Sequence, residues 1–206
     1  MRLVDVGALM GWLAVAVGFF GTASQWWRLR RDGLEGVSGA TWSLFVYLGA
    51  FWISYGVAAR SWTIILGSLL IFPLQIGVVV RLRPWRATRA SLASLAFFVV
   101  SFLVPALVWG WSAGVYGTTV AMVVTRIPQL VDLVRPTHAA GVSTGMWLLN
   151  AVGSAMWVVY YAQTHRWAAL TATLVSGLVS AVIAGLAAWR HREAAATESP
   201  SWVAIS

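Results

Sequence analysis

Residues 42–62 read WSLFVYLGAFWISYGVAARSW, and residues 147–167 read WLLNAVGSAMWVVYYAQTHRW. At an offset of 105, Trp42 falls on Trp147, Trp52 on Trp157, Tyr55 on Tyr160 and Trp62 on Trp167. Upstream, Gly36-Val37-Ser38 matches Gly141-Val142-Ser143 at the same offset. One residue of insertion further back, at an offset of 104, Gln25 matches Gln129 and Arg31 matches Arg135. Chance likeness between apolar helices does not keep four Trp/Tyr pairs and a Gly-Val-Ser loop in order with a single gap. The chain therefore contains itself twice.

Each quoted stretch is apolar over roughly 20 residues, the length at which a helix crosses a hydrocarbon core. The whole chain behaves alike. Of its 206 residues 60% are hydrophobic, only 10% are charged, and its mean hydropathy is +0.79. A soluble domain carries about 25% charged residues, so a water-facing surface is excluded. Seven apolar runs are predicted to span the membrane as helices: 6–25, 40–59, 62–80, 90–111, 113–131, 145–164 and 167–189. They are too long and too continuously apolar to be barrel strands. The first run reads as a span rather than a cleaved leader, because Asp5 sits near its start and it recurs within the repeat.

All fourteen basic residues are arginine, and they lie between the apolar runs. Nucleic acid is therefore a poorer explanation of the pI near 11.3 than membrane topology. Eleven arginines (28, 30, 31, 81, 83, 86, 89, 126, 135, 190 and 192) fall on one side of the seven-span arrangement, and Arg2, Arg60 and Arg166 on the other. The positive-inside rule then predicts a multi-pass protein of the cell membrane, N-terminus outside and C-terminus cytoplasmic. Trp26, Trp27, Trp62, Trp109, Trp111, Trp167 and Trp189 lie at span ends, as an aromatic belt requires. Trp12, Trp52 and Trp157 fall near mid-span.

The fold class expected is all-α: two three-helix repeats, 1–80 and 113–189, joined by an Arg-rich loop and linker helix at 81–112 and followed by a disordered cytoplasmic tail at 190–206. A repeat of three spans would be inverted on direct duplication. The fourth span restores its direction, making the repeats parallel, an arrangement that encloses a substrate site near the midplane.

Mid-span polar residues are the candidates for that site, since they face the protein interior or a water-filled path. Ser68 and Gln75 lie seven apart on one face of span three, and Thr173 and Ser180 repeat the pattern in span seven. Asn150, the only asparagine, lies seven residues before Trp157. Each has a plainer reading as a helix-packing or back-bonding group. Trp52 and Trp157 offer aromatic faces and one N–H each. Pro128 removes a helix hydrogen bond and loosens the turn before it; Gly18 and Gly21 stand where span one lacks proline. Gln25 and Gln129 read as ties to loop backbone. Asp32 and Asp132 read as partners of neighbouring loop arginines, and no acid lies deep in a span. There is no cysteine, no paired histidine and no lysine, which removes thiolate metal sites, cysteine nucleophiles and a retinal Schiff base. Neither an enzyme nor a cofactor is expected.

Arg126-Ile127-Pro128-Gln129-Leu130, followed by Arg135 and Gly141-Val142-Ser143, resembles the signature of the PQ-loop repeat family, and the three-one-three layout resembles its SWEET branch, of which SemiSWEETs are the single-repeat form. The first repeat has Ser24-Gln25 in place of Pro-Gln. The resemblance implies a facilitative sugar transporter. It also implies a Trp in the second helix of each repeat, within a Trp-x-x-Tyr-Gly-like segment, and an Asn about 16 residues later. Trp52-Ile53-Ser54-Tyr55-Gly56 fits; Trp157-Val158-Val159-Tyr160 fits with Tyr161 in the glycine place. Ser68 and Thr173 stand where the family has asparagine, which bears on sugar specificity because a hydroxyl reaches less far than a carboxamide. The expected partners are a small-molecule solute, the bilayer and, as a candidate, a second copy of the chain. Rival readings on the same scaffold are an exporter of amino acids or other metabolites, and a non-transporting receptor.

Overall fold

Apolar runs of this length have nowhere to place their backbone polar groups except within themselves, so they wind into helices. The computed structural model describes residues 3–31, 39–82, 88–134 and 143–198. Its helices, in chain order, are α1 (Leu3–Arg31), α2 (Gly39–Ala58), α3 (Trp62–Leu82), α4 (Thr88–Phe98, continued through Val99–Leu103 and Val104–Trp109), α5 (Trp111–Val124, continued by Ile127–Val134), α6 (Thr144–Gln163) and α7 (Trp167–Glu198). No strand occurs among the described residues.

Among the described residues, five helical segments are long and apolar enough to cross a membrane: Val6–Ser24, Gly39–Ala58, Trp62–Leu82, Leu92–Trp109 and Trp167–Glu193. The apolar part of α5, Trp111–Val124, is shorter. α6 has the length, but Asn150, Ser154, Tyr160, Tyr161 and Gln163 dilute its apolarity. The outward faces are hydrocarbon: Leu70, Val80, Leu107, Leu178 and Val182 are all exposed. In water such a surface would aggregate; facing lipid it is the expected finish.

Two helices depart from regularity, each at a proline. In α4 the segment Val99–Leu103 is π-helical, and the Val104 amide bonds Val99 O. Pro105 has no N–H to offer Ser101 O four residues back. Gly117 of α5 lies against that carbonyl, and a Cβ there would collide with it. In α5, Pro128 has no N–H for Val124 O. The helix breaks just before it, at Thr125 and Arg126, whose amides bond Ala121 O and Val123 O at 2.9 and 3.0 Å. α1 carries no proline and runs unbroken past Gly18 and Gly21.

α3 packs between α1 and α2, and α7 packs between α5 and α6. Between these two groups, α1 lies along α6, whereas α2 barely meets α5; α4 fills that seam, packing on both. Ser94 Oγ of α4 donates to Ala40 O of α2 at 2.9 Å.

The turns after α2 and α6 are built alike. Arg60 (φ 49°) and His165 (φ 54°) take the left-handed conformation at positions 105 apart. Ser61 N bonds Gly56 O and Arg60 N bonds Val57 O, as Arg166 N bonds Tyr161 O and His165 N bonds Ala162 O. This pattern satisfies the last carbonyls of a helix. The αL position is ordinarily glycine; here two bulky residues hold it.

Ser143 opens α6 as its N-cap, accepting from Met146 N at 3.3 Å. The remainder of both Gly-Val-Ser loops lies outside the described residues, as do residues 83–87 of the Arg-rich loop. A disordered tail from 190 is corrected: α7 runs on to Glu198. Arg190 donates to Leu133 O and Val134 O, closing the end of α5, and pairs with Glu193 at 3.2 Å. The Ala194–Ala196 run then favours helix. Residues 199–206 lie outside the described residues.

Candidate functional site

Small residues let the helices approach closely where the site lies. Gly67 of α3 abuts Val15 of α1, and Gly153 of α6 abuts Val17. Between the two three-helix groups is a cavity of about 210 Å³. Trp52 of α2 and Trp157 of α6 both line it, as do Ser68 of α3 and Thr173 of α7. Four residues from two stretches of sequence about a hundred positions apart thus meet in one volume. Two further pairs 105 apart, Gly67 with Ala172 and Ile71 with Ser176, also line it. No lining residue is charged. The volume is below the roughly 300–1,000 Å³ of pockets that take drug-sized ligands, so the cavity has room only for a small molecule.

The indoles are braced. Trp52 meets Tyr55 edge to face at 5.5 Å and Phe51 at 6.1 Å. Trp157 meets Tyr160 edge to face at 5.5 Å and stacks on Tyr161 at 5.2 Å, 16° from parallel. The α2–α3 turn leads directly into Ile64 of the lining, and the α6–α7 turn follows Tyr161. There the Ser61 and Tyr160 hydroxyls share a buried 2.6 Å hydrogen bond, and Arg166 Nη2 donates to Ala59 O at 2.8 Å. Both bonds join one three-helix group to the other.

Two expected site residues are not brought into the cavity. Gln75 turns its carboxamide into the α2–α3 interface, where Oε1 fills the space over Gly49 without a hydrogen-bond donor among the described residues. Ser180, its repeat counterpart, is fully buried and donates to Ser176 O at 2.8 Å. Asn150 is exposed, and its Nδ2 donates to Met146 O at 3.1 Å. A shared helix face fixes direction but not depth: seven residues place Asn150 about 10.5 Å along the axis from Trp157. The side chains of Gln25, Pro128, Gln129 and Asp132 lie outside the described residues. Arg126 caps its own helix, with Nη1 on Met122 O at 3.1 Å and its guanidinium over the Trp147 ring at 5.4 Å.

Four lining residues escape a reading centred on Trp and Asn: Thr118, Ser154, Tyr161 and Ser176. Three carry a usable signal. Ser154 and Tyr161 lie three before and four after Trp157, and Ser176 three after Thr173, so each shares its neighbour's helix face. Thr118 has no such anchor on α5. A second hollow, along Ile127, Leu130, Val131 and Val134, is hydrocarbon and offers nothing to orient a polar solute. Comparison with known proteins yields no significant match to any family model, curated protein or solved structure.

Proposed function

We propose that this protein is a facilitator of small neutral solutes of the SWEET/PQ-loop kind, built as two parallel three-helix repeats with α4 as linker. The observation that carries the reading is the cavity itself, lined by Trp52 with Trp157 and Ser68 with Thr173. A site assembled equally from two bundles is what alternating access between them requires. The shared helix order within each bundle, the matched turns at Arg60 and His165, and the place of α4 outside both bundles support the two-repeat reading. The break before Pro128 supplies a hinge in α5, and the two hydrogen bonds at the α2–α3 and α6–α7 turns supply a closure that rocking would open and remake.

The uncharged lining favours a neutral solute such as a sugar or polyol. No carboxylate sits deep in a span to relay protons, so transport runs without coupling. The test is uptake of a panel of labelled neutral solutes into liposomes holding the purified protein. Equilibration that ignores an imposed proton gradient is expected; accumulation abolished by a protonophore would refute the uncoupled mechanism. Orientation in the cell membrane, N-terminus outside, follows from the arginine distribution. Ala87→Cys and Ala113→Cys should label from opposite faces, the first from the cytoplasm.

A further inference from the structure

Setting each half of the cavity beside its repeat counterpart separates two kinds of wall. Trp52 and Trp157 correspond, as do Ser68 and Thr173. Other places do not. Gly49 stands where the second bundle has Ser154, Gly56 where it has Tyr161, and Ile71 where it has Ser176. Each exchange puts a hydroxyl into the lining from the second bundle, whereas Gly49 and Gly56 are covered by α3 side chains and do not line the cavity, and Ile71 presents hydrocarbon. Thr118 adds a further second-bundle hydroxyl, already donating to Val115 O at 2.6 Å.

Folding does not use the others. Serine and threonine in a helix commonly return their O–H to a carbonyl one turn back, and Thr22, Ser54, Thr171 and Ser180 do so. Ser154, Thr173, Ser176 and Tyr161 make no hydrogen bond among the described residues. Tyr161 is only 4% exposed and lies flat on Trp157. Tyr161 and Ser176 are buried and Ser154 and Thr173 half-buried; polar groups withdrawn from water are seldom left without a partner, and four facing one cavity from one side call for something inside it that supplies bonds. Opposite them, Ile64, Gly67 and Ile71 offer none; Ser68 is the first bundle's hydroxyl contribution to the lining.

We infer, resting on the transport reading above, that the solute is hydrogen-bonded chiefly by the second bundle, with Tyr161 as the specificity-determining residue. Its class is a small neutral molecule with hydroxyls along one edge and hydrocarbon along the other, as a deoxy sugar or a short diol presents. A fully hydroxylated solute of the same size would leave hydroxyls unpaired against Ile64 and Ile71, an unfavourable exchange for water. The first bundle then acts as a smooth wall that moves past a solute anchored on the second.

The test uses the full chain in detergent, with calorimetric titration of matched pairs: D-glucose against 6-deoxy-D-glucose, and erythritol against 2,3-butanediol. The deoxygenated member of each pair should bind at least fivefold tighter. Tyr161→Phe and Ser154→Ala should each weaken that binding at least fivefold, Ser68→Ala less than threefold, and Ser54→Ala, outside the cavity, not at all. Tighter binding of the hydroxylated members, or a loss at Ser68→Ala equal to that at Tyr161→Phe, overturns the inference. A second arm needs no solute. The native chain has no cysteine, so Ser176→Cys and its counterpart Ile71→Cys can be compared by their rates with a charged thiol reagent. A tenfold faster reaction at 176 is expected; equal rates overturn the one-sided wall and leave transport standing. A clear rate split with no solute bound or taken up overturns instead the transport reading, and the solute class with it.

Discussion

The two seams between the three-helix bundles are unlike. On one side α1 lies directly along α6; on the other α2 and α5 stand apart and α4 fills the gap. A lone pair of identical bundles would have two equivalent seams. Here the π-helical stretch of α4 and Gly117 of α5 are fitted to each other at Ser101 O, which makes α4 a packed third party in one seam. The cavity linings diverge as well: Ser154, Tyr161 and Ser176 enter from the second bundle, and of their counterparts Gly49, Gly56 and Ile71 only Ile71 lines it. The α2–α3 and α6–α7 turns stay alike down to their hydrogen bonds. What the difference teaches is that backbone geometry at the turns tolerates little change, because it satisfies the last carbonyls of the helices that end there. Side chains facing a cavity can change with little effect on the fold.

That contrast can be broken most forcefully at the α4 seam. Gly117→Leu should destabilise the protein by about 3 kcal/mol, the upper end for overpacking, because the Cβ meets the Ser101 backbone carbonyl of α4. Gly21→Leu, at a glycine with open space around it, should be tolerated. Thermal unfolding in detergent reads both, and equal losses would mean that the α4 seam is not tightly fitted. The next effect tests where the bundles agree. Trp52→Ala and Trp157→Ala should each slow solute exchange at least tenfold, about 1.4 kcal/mol, and to within threefold of one another. One inert indole would show that only one bundle supplies a wall. A smaller effect lies at the α2–α3 and α6–α7 turns. Ser61→Ala and Tyr160→Phe should each cost about 0.6 kcal/mol, the usual worth of a hydrogen bond between membrane helices, and the double variant should cost no more than either. Additive losses would show that the two hydroxyls are not bonded to each other. Smallest is Asn150→Ala, expected to leave exchange within twofold of the parent, since its carboxamide is exposed and spent on Met146 O.

Much of this was legible in the residues. Apolar runs of spanning length mark five of the described helices, because a membrane helix advertises itself by composition along its whole length; the apolar part of α5 is shorter and polar side chains dilute α6. The Trp52/Trp157 and Ser68/Thr173 correspondences are legible for a different reason: a duplicated sequence carries its register with it. Asn150 and Gln75 were misplaced because a shared face says nothing about depth or about which neighbour fills it. Gln75 meets α2 through the gap left by Gly49, a contact set by packing two helices rather than by spacing within one. Ser154, Tyr161 and Ser176 had the right spacing and the wrong prominence. The π-helical stretch had a proline to announce it, but Pro73, also inside a helix, produces no such break in α3.

The account stands or falls on whether the cavity is reached alternately from the two sides of the membrane. Ser68 lies in that cavity, and the cysteine-free background makes Ser68→Cys a single reporter. In sealed vesicles, a membrane-impermeant thiol reagent applied from either face should label it. A transported solute should slow labelling from both faces alike. Labelling from one face only, unchanged by any solute that the liposomes take up, would contradict alternating access at this site.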